Sequence, residues 1–233
     1  MRLLPAPAAA LLLAASAPAL AQDEGAASGP VDVGVIRDSD KRVVQKLLYS
    51  KEGRLEYGLA AGWMPFDSYT TTPLLAINAG YHFSEGLGAE LVIDGGYSLK
   101  NFTYKQLESD AYGIQPDAYR HMLGVMADVM WSPVYAKMSW RGKKVLHHDL
   151  YGLLGAGGSL EQAMMPDGST TFSPGVGLGV GMRIFAGQSG LIRLQLRDDI
   201  LVQKRVKTAD TQGTFVKQNV SLTVGYSRLG KAK

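Results

Sequence analysis

From residue 54 onward, apolar and polar side chains alternate with a period of two. The pattern is clearest in residues 174–185, where Val176, Leu178 and Val180 alternate with glycines. A period of two places successive side chains on opposite faces of an extended chain, so each such segment predicts a β-strand with one apolar face. The alternation recurs in eight segments, and we predict strands over residues 54–64, 74–83, 87–99, 122–132, 146–158, 174–185, 191–203 and 215–228.

Two architectures use strands of this kind, and they differ in which face is buried. A soluble sandwich or lipocalin-like barrel points its apolar faces inward, whereas an outer-membrane barrel points them toward lipid. Here the polar faces are crowded with Gly, Ala and Ser among charges of mixed sign, which suits a narrow interior. Aromatic residues lie toward the strand ends of the apolar faces, as in the two girdles of a membrane barrel. Trp63 and Tyr97 are predicted at one level, and Tyr57, Tyr81, Phe83, Trp131 and Tyr226 at the other.

The lengths of the connections favour the same architecture. Short links at 84–86 and 186–190 alternate with longer ones, which are 65–73, 100–121, 159–173 and 204–214. Small outer-membrane barrels have short periplasmic turns and longer outer loops. The segment 133–145 is long for a periplasmic turn, and we predict a hairpin extension below the membrane there. The fold class predicted is therefore all-β: an eight-stranded, antiparallel, up-and-down transmembrane β-barrel over residues 54–229.

The N-terminus has the layout of a secretory signal. Arg2 precedes an apolar run from Leu3 to Leu13, and Ala19-Leu20-Ala21 matches the small-x-small pattern of a cleavage site. We predict a signal peptide over residues 1–21, cleaved near Ala21, and a mature chain exported to the cell outer membrane. The apolar run is shorter than the roughly 20 residues of a membrane-spanning helix.

A periplasmic leader is predicted over residues 22–53, and a short C-terminal tail over residues 230–233. The first part of the leader is rich in Gly, Ala, Ser and Asp, which is typical of a flexible segment. In residues 38–51, Val43, Val44, Leu47 and Leu48 recur at helical spacing. That spacing predicts a short amphipathic helix, with a poorly ordered leader as the alternative.

Composition narrows the partners. The chain has 24 basic and 21 acidic residues, and removing residues 1–21 takes away only Arg2, so the net charge falls from +3 to +2. A nucleic-acid partner calls for a basic patch or stripe, and we predict none. Cysteine is absent, so the fold must hold without disulfides. The predicted partners are outer-membrane lipids.

The polar faces of the strands carry charged residues of both signs. An eight-stranded barrel is only wide enough for side chains to fill it. Unpaired charges there would be strongly destabilising, so we predict a network of ion pairs that closes the lumen; a narrow gated pore, whose ion pairs exchange, is the alternative. The predicted network consists of Glu56, Glu90, Asp94, Asp128, Asp149, Arg183, Arg193 and Arg197.

No motif in the chain predicts a cofactor, a metal or a catalytic site. The glycines from Gly175 to Gly181 resemble a dinucleotide fingerprint, but no helix follows them. His147 and His148 are adjacent in a strand, so they point to opposite faces and make a poor metal site. His121, Ser98 and Asp117 are predicted near the outer rim, where a barrel enzyme would need its nucleophile and base, but their spacing does not distinguish them from ordinary rim residues.

Four runs in the chain carry a family resemblance: Val43-Val44-Gln45-Lys46 leading to Gly53-Arg54-Leu55-Glu56; Gly80-Tyr81-His82-Phe83; Trp131-Ser132-Pro133-Val134-Tyr135-Ala136-Lys137; and Asp149-Leu150-Tyr151 followed by the Gly-rich strand. With these runs, residues 43–229 resemble the outer membrane β-barrel domain proteins, a family of small barrels related in architecture to the OmpA transmembrane domain. That resemblance implies an envelope protein without an established common activity, and protein partners in envelope assemblies. Two positions depart from the pattern. Tyr226 is followed by seven further residues, 227–233, and Asp198 falls on the predicted lipid face, from which a bulge at 197–199 would turn it away.

Three functional hypotheses follow from the sequence. The first is a non-enzymatic outer-membrane barrel that is a structural or assembly component of the cell envelope. The second is a narrow channel. The third is a soluble exported barrel that binds a small apolar ligand.

Overall fold

The computed structural model describes residues 48–140, 144–164, 168–208 and 211–231. The predicted signal peptide and residues 22–47 of the predicted leader lie outside them. Nine strands and one helix are present in the described residues: β1 Leu55–Met64, β2 Thr70–His82, β3 Leu87–Gly96, β4 Leu99–Lys100, α1 Phe102–Glu108, β5 Tyr119–Trp140, β6 Lys144–Ala163, β7 Thr170–Ala186, β8 Gly190–Thr208 and β9 Thr211–Leu229.

Eight of these strands close into a ring. The hydrogen-bonded order is β1-β9-β8-β7-β6-β5-β3-β2, and β2 returns to β1, with every pairing antiparallel. The predicted eight-stranded, antiparallel, up-and-down barrel is thereby confirmed. We call the end with residues 48–53 and 230–231 the terminus end, and the opposite end the loop end. β4 is a two-residue addition to the start of β2 at the loop end.

The two faces of the wall differ as the alternation predicts. On β2, Leu75 and Ile77 are exposed, while Leu74 and Ala76, which alternate with them, are buried. On β7, Leu178 and Val180 point outward and Arg183 is fully buried. The exposed large side chains of the barrel wall are therefore apolar and the buried ones largely polar, which is the sense of a membrane barrel. No helix of the described residues is long and apolar enough to cross a membrane.

The loop-end connections differ from the prediction, because the strands extend further than their apolar pattern. β6 runs to Ala163 and β7 begins at Thr170, so the predicted loop over 159–173 is too long, and β2 begins at Thr70, which shortens the predicted loop over 65–73. β8 ends at Thr208 and β9 begins at Thr211, so the predicted long loop over 204–214 is wrong. The two strands continue to pair beyond the apolar wall, with Lys204 opposite Thr214 and Arg205 opposite Gly213. The long segment after β3 contains β4 and α1, whose N-cap Asn101 accepts a hydrogen bond from the Tyr104 N–H at 2.9 Å.

The β5–β6 hairpin extends well beyond the other turns at the terminus end. Its ladder shifts register between Trp131 and Val134 and then continues from Val134 opposite Leu150 to Trp140 opposite Lys144. The predicted hairpin extension is therefore present. The register shift is a bulge-like irregularity, which lets a long ribbon leave the barrel wall.

Asp198 remains on the outer face, and the predicted bulge is wrong. The ladder is continuous from Arg197 to Asp199, with Asp198 opposite Leu178 on one side and Val220 on the other. The reason is that Arg197 and Asp199 both point inward and pair with each other, Nε to Oδ1, at 2.6 Å. With both neighbours held inside, a period of two leaves Asp198 facing outward.

Glycines on the inner face make room for the charged side chains. A Cβ at Gly177 would lie 2.4 Å from Nη2 of Arg197 and 2.5 Å from Oδ1 of Asp199. A Cβ at Gly155 would lie 2.1 Å from Oδ1 of Asp128. The alternating glycines are therefore interior packing positions, since a side chain there would displace an ion pair.

Candidate functional site

Three clusters along the barrel interior contain the residues predicted for the lumen network, and a fourth surrounds Glu161, which accepts from Lys217 and Gln203. All eight residues predicted for the lumen network point inward, and seven of them fall in the first two clusters. The terminus-end cluster contains Glu56, Glu90, Asp149, Arg183 and Arg193; the mid-lumen cluster contains Asp128, Arg197 and Asp199; and the loop-end cluster contains Asp94, His121 and Ser159.

Arg193 is the centre of the terminus-end cluster. Its Nη1 donates to Oε1 of Glu56 at 3.0 Å and its Nη2 to Oε1 of Glu90 at 2.9 Å. The guanidinium of Arg183 lies beside the same Glu56, with Nε 3.1 Å from Oε2, and extends to Asp149. Tyr151 packs under both cations, its ring centroid 4.0 Å from the Arg183 guanidinium. Each carboxylate of this cluster therefore contacts at least one cation.

Lys51 completes this cluster from outside the barrel strands. Its side chain is only 3% exposed, and Nζ pairs with the Asp149 carboxylate. The backbone of the segment is held by Glu85, whose carboxylate accepts hydrogen bonds from the N–H groups of Lys51 at 3.0 Å and Glu52 at 3.2 Å. Residues 48–53 thus pack against the terminus end, although they belong to the segment predicted as a flexible leader. Residues 48–51 are not helical, and the rest of the predicted helix lies outside the described residues.

The mid-lumen cluster has one cation between two carboxylates. Arg197 donates to Asp128 through both terminal nitrogens, at 2.6 and 2.9 Å, and to Asp199 through Nε at 2.6 Å. Such a two-pronged contact fixes the orientation of both planar groups. A cavity of about 40 Å³ lies between this cluster and the terminus-end cluster. By volume it holds about three water molecules.

The loop-end cluster has the residue types of a hydrolase triad. Ser159 Oγ lies 2.9 Å from Nδ1 of His121, and Nε2 of His121 lies 2.6 Å from Oδ1 of Asp94. Nevertheless, Ser159 and His121 are each only 3% exposed, and the cavity beside His121 has a volume of about 10 Å³. A nucleophile needs a substrate within reach, and this space is smaller than an acyl group. The other two residues that the sequence places near the outer rim do not join this triad-like arrangement as its nucleophile or acid. The Ser98 hydroxyl accepts a hydrogen bond from the His121 backbone N–H at 3.0 Å, and Oδ2 of Asp117 lies 3.8 Å from Nη1 of Arg205.

Sequence reasoning missed several members of the interior network. His82 lies on the polar face of its predicted strand and pairs with Glu56 at 2.9 Å, so its alternation was the available signal. Glu161 lies in a predicted loop and accepts from Lys217 at 2.7 Å and Gln203 at 2.6 Å. Lys51 had no signal, because its partner is 98 residues away along the chain.

The seven aromatic residues predicted at the membrane interfaces all lie on the outer surface. Trp63 is opposite Pro73 on β2, and the Tyr97 N–H bonds to the carbonyl of that same Pro73, so both are near one level of the barrel. At the other end, Tyr81 and Phe83 pack with ring centroids 5.3 Å apart. Exposed fractions lie between 39% and 63% for Tyr57, Trp63, Tyr81, Phe83, Tyr97, Trp131 and Tyr226.

Comparisons with solved structures find matches at low sequence identity. No family model and no curated protein matches the chain. The N-terminal β-barrel domain of Pseudomonas aeruginosa OprF matches with a TM-score of 0.45 and 9% identity, over 77% of this chain and 98% of that one. Neisserial surface protein A matches with a TM-score of 0.43 and 14% identity, over 75% of this chain and 95% of that one. Ail, the attachment invasion locus protein of Yersinia pestis, matches with a TM-score of 0.41 and 16% identity, over 77% of this chain and 99% of that one.

Proposed function

We propose that this chain is a non-enzymatic, integral barrel of the outer membrane, a structural or assembly component of the cell envelope whose lumen is closed by its charged network. Its own geometry supports the membrane placement. The wall exposes apolar side chains such as Leu59 at 67% and Leu154 at 66%, while Glu56 and Arg183 are enclosed. A soluble exported barrel that binds an apolar ligand needs the opposite arrangement.

The observation that carries the closed lumen is the burial of the terminus-end cluster. Arg183, Glu56 and Asp149 are 0%, 1% and 1% exposed, and their contacts reach across the barrel from β1 to β6 and β7. Opening a passage would separate charges that are already desolvated. Breaking a buried pair costs about 3–5 kcal/mol, so the closed arrangement dominates at equilibrium.

The β5–β6 hairpin extension supports the assembly role. It continues past the girdle residue Trp131 and exposes apolar side chains beyond the end of the β6–β7 ladder: Met138 at 44% and Val145 at 60%. Outside the bilayer such side chains face water unless a partner covers them. We therefore propose that envelope proteins bind this extension on the periplasmic side.

A narrow gated pore is the second candidate. The observation in its favour is the cavity of about 40 Å³ between the two inner clusters, because a water-filled space shortens the distance that an ion must cross. In this candidate the Arg193 contacts to Glu56 and Glu90 exchange to open the path.

Conductance in planar bilayers separates the two candidates. We expect no steady unitary currents from the wild-type protein. Steady currents that are lost in Arg193→Ala or Glu90→Ala favour the pore, whereas spin labels that find Leu178 and Val180 sheltered and Glu90 in water reject both. N-terminal sequencing of the exported protein tests the proposed cleavage, which predicts a mature chain beginning near Gln22.

A further inference from the structure

A groove at the terminus end is lined by three cations. It has a volume of about 590 Å³ and lies where the start of β1 meets the end of β9. Its basic lining residues are Arg54, Arg228 and Lys231, and its apolar ones include Leu48 and Tyr57. We call it the basic groove.

The positive charge of the basic groove is not neutralised by any carboxylate in its lining. Among the described residues, Arg54 donates only to backbone carbonyls, including Gly230 at 2.7 Å and Ser50 at 3.0 Å. Carbonyls orient a guanidinium without cancelling its charge. Arg228 and Lys231 are exposed, and they form no ion pair within the part of the chain that the structure describes.

Other cations of the described residues are paired with carboxylates or lie singly. Lys100 pairs with Glu108 at 2.7 Å, and Lys217 pairs with Glu161 at 2.7 Å. The basic groove instead brings three cations together without a carboxylate in its lining, and such a concentration of positive charge attracts an external anion.

The position of the groove relative to the apolar wall indicates the kind of anion. Arg228 is opposite Tyr57 in the β1–β9 ladder, and two residues earlier Tyr226 is opposite Leu59. Tyr57 and Tyr226 belong to the aromatic residues at one membrane interface, and Leu59 is a lipid-facing side chain. Cations thus lie directly next to the surface that acyl chains cover, which is the order of groups in a phospholipid.

We propose that the basic groove binds the phosphate of an anionic phospholipid, of the phosphatidylglycerol class, in the leaflet that contacts the terminus end. The inference rests on the proposed membrane placement and goes beyond it. Arg228 and Lys231 bind the phosphate, Arg54 adds fixed positive charge, and the acyl chains lie along Leu59 and Tyr226. Free phosphate would gain nothing from the apolar side of the groove, so the lipid is the ligand.

Native mass spectrometry of the purified full-length protein tests this with phosphatidylglycerol and phosphatidylcholine of matched chains. We expect the wild type to retain phosphatidylglycerol preferentially. Each basic residue near an anionic lipid raises the affinity for it about fivefold, equivalent to about 1 kcal/mol. The preference of R228A/K231A for phosphatidylglycerol over phosphatidylcholine should therefore be about 25-fold weaker than that of the wild type. The control K105A/K204A removes the same charge from exposed positions at the loop end and should keep it.

Three outcomes overturn the proposal: equal retention of the two lipids by the wild type, an equal loss in the control variant, or competition by inorganic phosphate as effective as competition by the lipid. Flotation with vesicles is measured on the same preparations. A protein that fails to float refutes the membrane placement itself, whereas a protein that floats without lipid preference refutes only the basic groove.

Discussion

Replacing Arg193 with methionine should lower the free energy of unfolding strongly, because it removes the cation at the centre of the terminus-end cluster. Arg193 bonds both Glu56 and Glu90. Glu56 keeps Arg183 at 3.1 Å and His82 at 2.9 Å, but among the described residues Glu90 keeps only the Asn78 amide, at 3.3 Å. The substitution therefore leaves one buried carboxylate without a cation, which is worth about 3–5 kcal/mol.

A second substitution separates lost charge pairing from lost packing. Glu90→Gln added to Arg193→Met removes the orphaned charge, so we expect the double variant to recover to within about 2 kcal/mol of the wild type. Arg228→Met removes an exposed cation and should stay within about 0.5 kcal/mol.

The assay is urea unfolding of the protein in lipid vesicles, followed by tryptophan fluorescence and by the mobility shift of the folded barrel on unheated gels. If Arg193→Met changes the free energy of unfolding by less than about 1 kcal/mol, or if the double variant is less stable than the single one, the lumen network does not hold the charges as described.

Three further predictions concern the turn, the loop-end cluster and the glycines. Burial of the Glu85 carboxylate opposes ionisation, but hydrogen bonds from the Ser50 hydroxyl and the Lys51 N–H lower its pKa below 4.5. A lowered folded-state pKa gives stability that is present above pH 4.5 and is lost as the pH falls below it. The protection of the Lys51 amide, measured as its exchange rate relative to that of the unfolded chain at the same pH, should therefore decrease below about pH 4.5 and should already be low at neutral pH in Glu85→Gln. Ser159 should not react with a fluorophosphonate probe, and labelling of the folded wild type that disappears in Ser159→Ala would contradict the non-enzymatic proposal. Gly177→Ala should lower the free energy of unfolding by about 1–3 kcal/mol. The control Gly152→Ala places its Cβ no nearer than 3.9 Å from the Gly179 carbonyl oxygen and should change the free energy of unfolding by less than about 0.5 kcal/mol. Equal effects in urea titrations would show that the inner face is not crowded.

Prediction from sequence succeeded where the determining signal is local. β7 illustrates this, because its alternation of Val176, Leu178 and Val180 with glycines assigns both faces without knowledge of any other strand. The inward direction of Glu56 and Arg193 follows in the same way. The eight strands and the sense of the wall were therefore accessible from residue order alone.

Prediction failed where a distant contact overrides the local pattern. Asp198 needed no bulge, because the pairing of Arg197 with Asp199 holds its neighbours inside. β8 and β9 extend beyond the segments in which apolar residues alternate, because backbone pairing, such as that between Lys204 and Thr214, does not require apolar side chains. Lys51 entered the lumen network through Asp149, a residue far along the chain.

The sequence by itself determined which side chains are enclosed and which face outward, because a strand of period two carries that information in every residue. Only the tertiary structure decided which acid meets which arginine: Glu90 with Arg193 and Asp128 with Arg197. Those pairings depend on the register between strands and on the closure of the ring, which bring together residues that no local pattern relates.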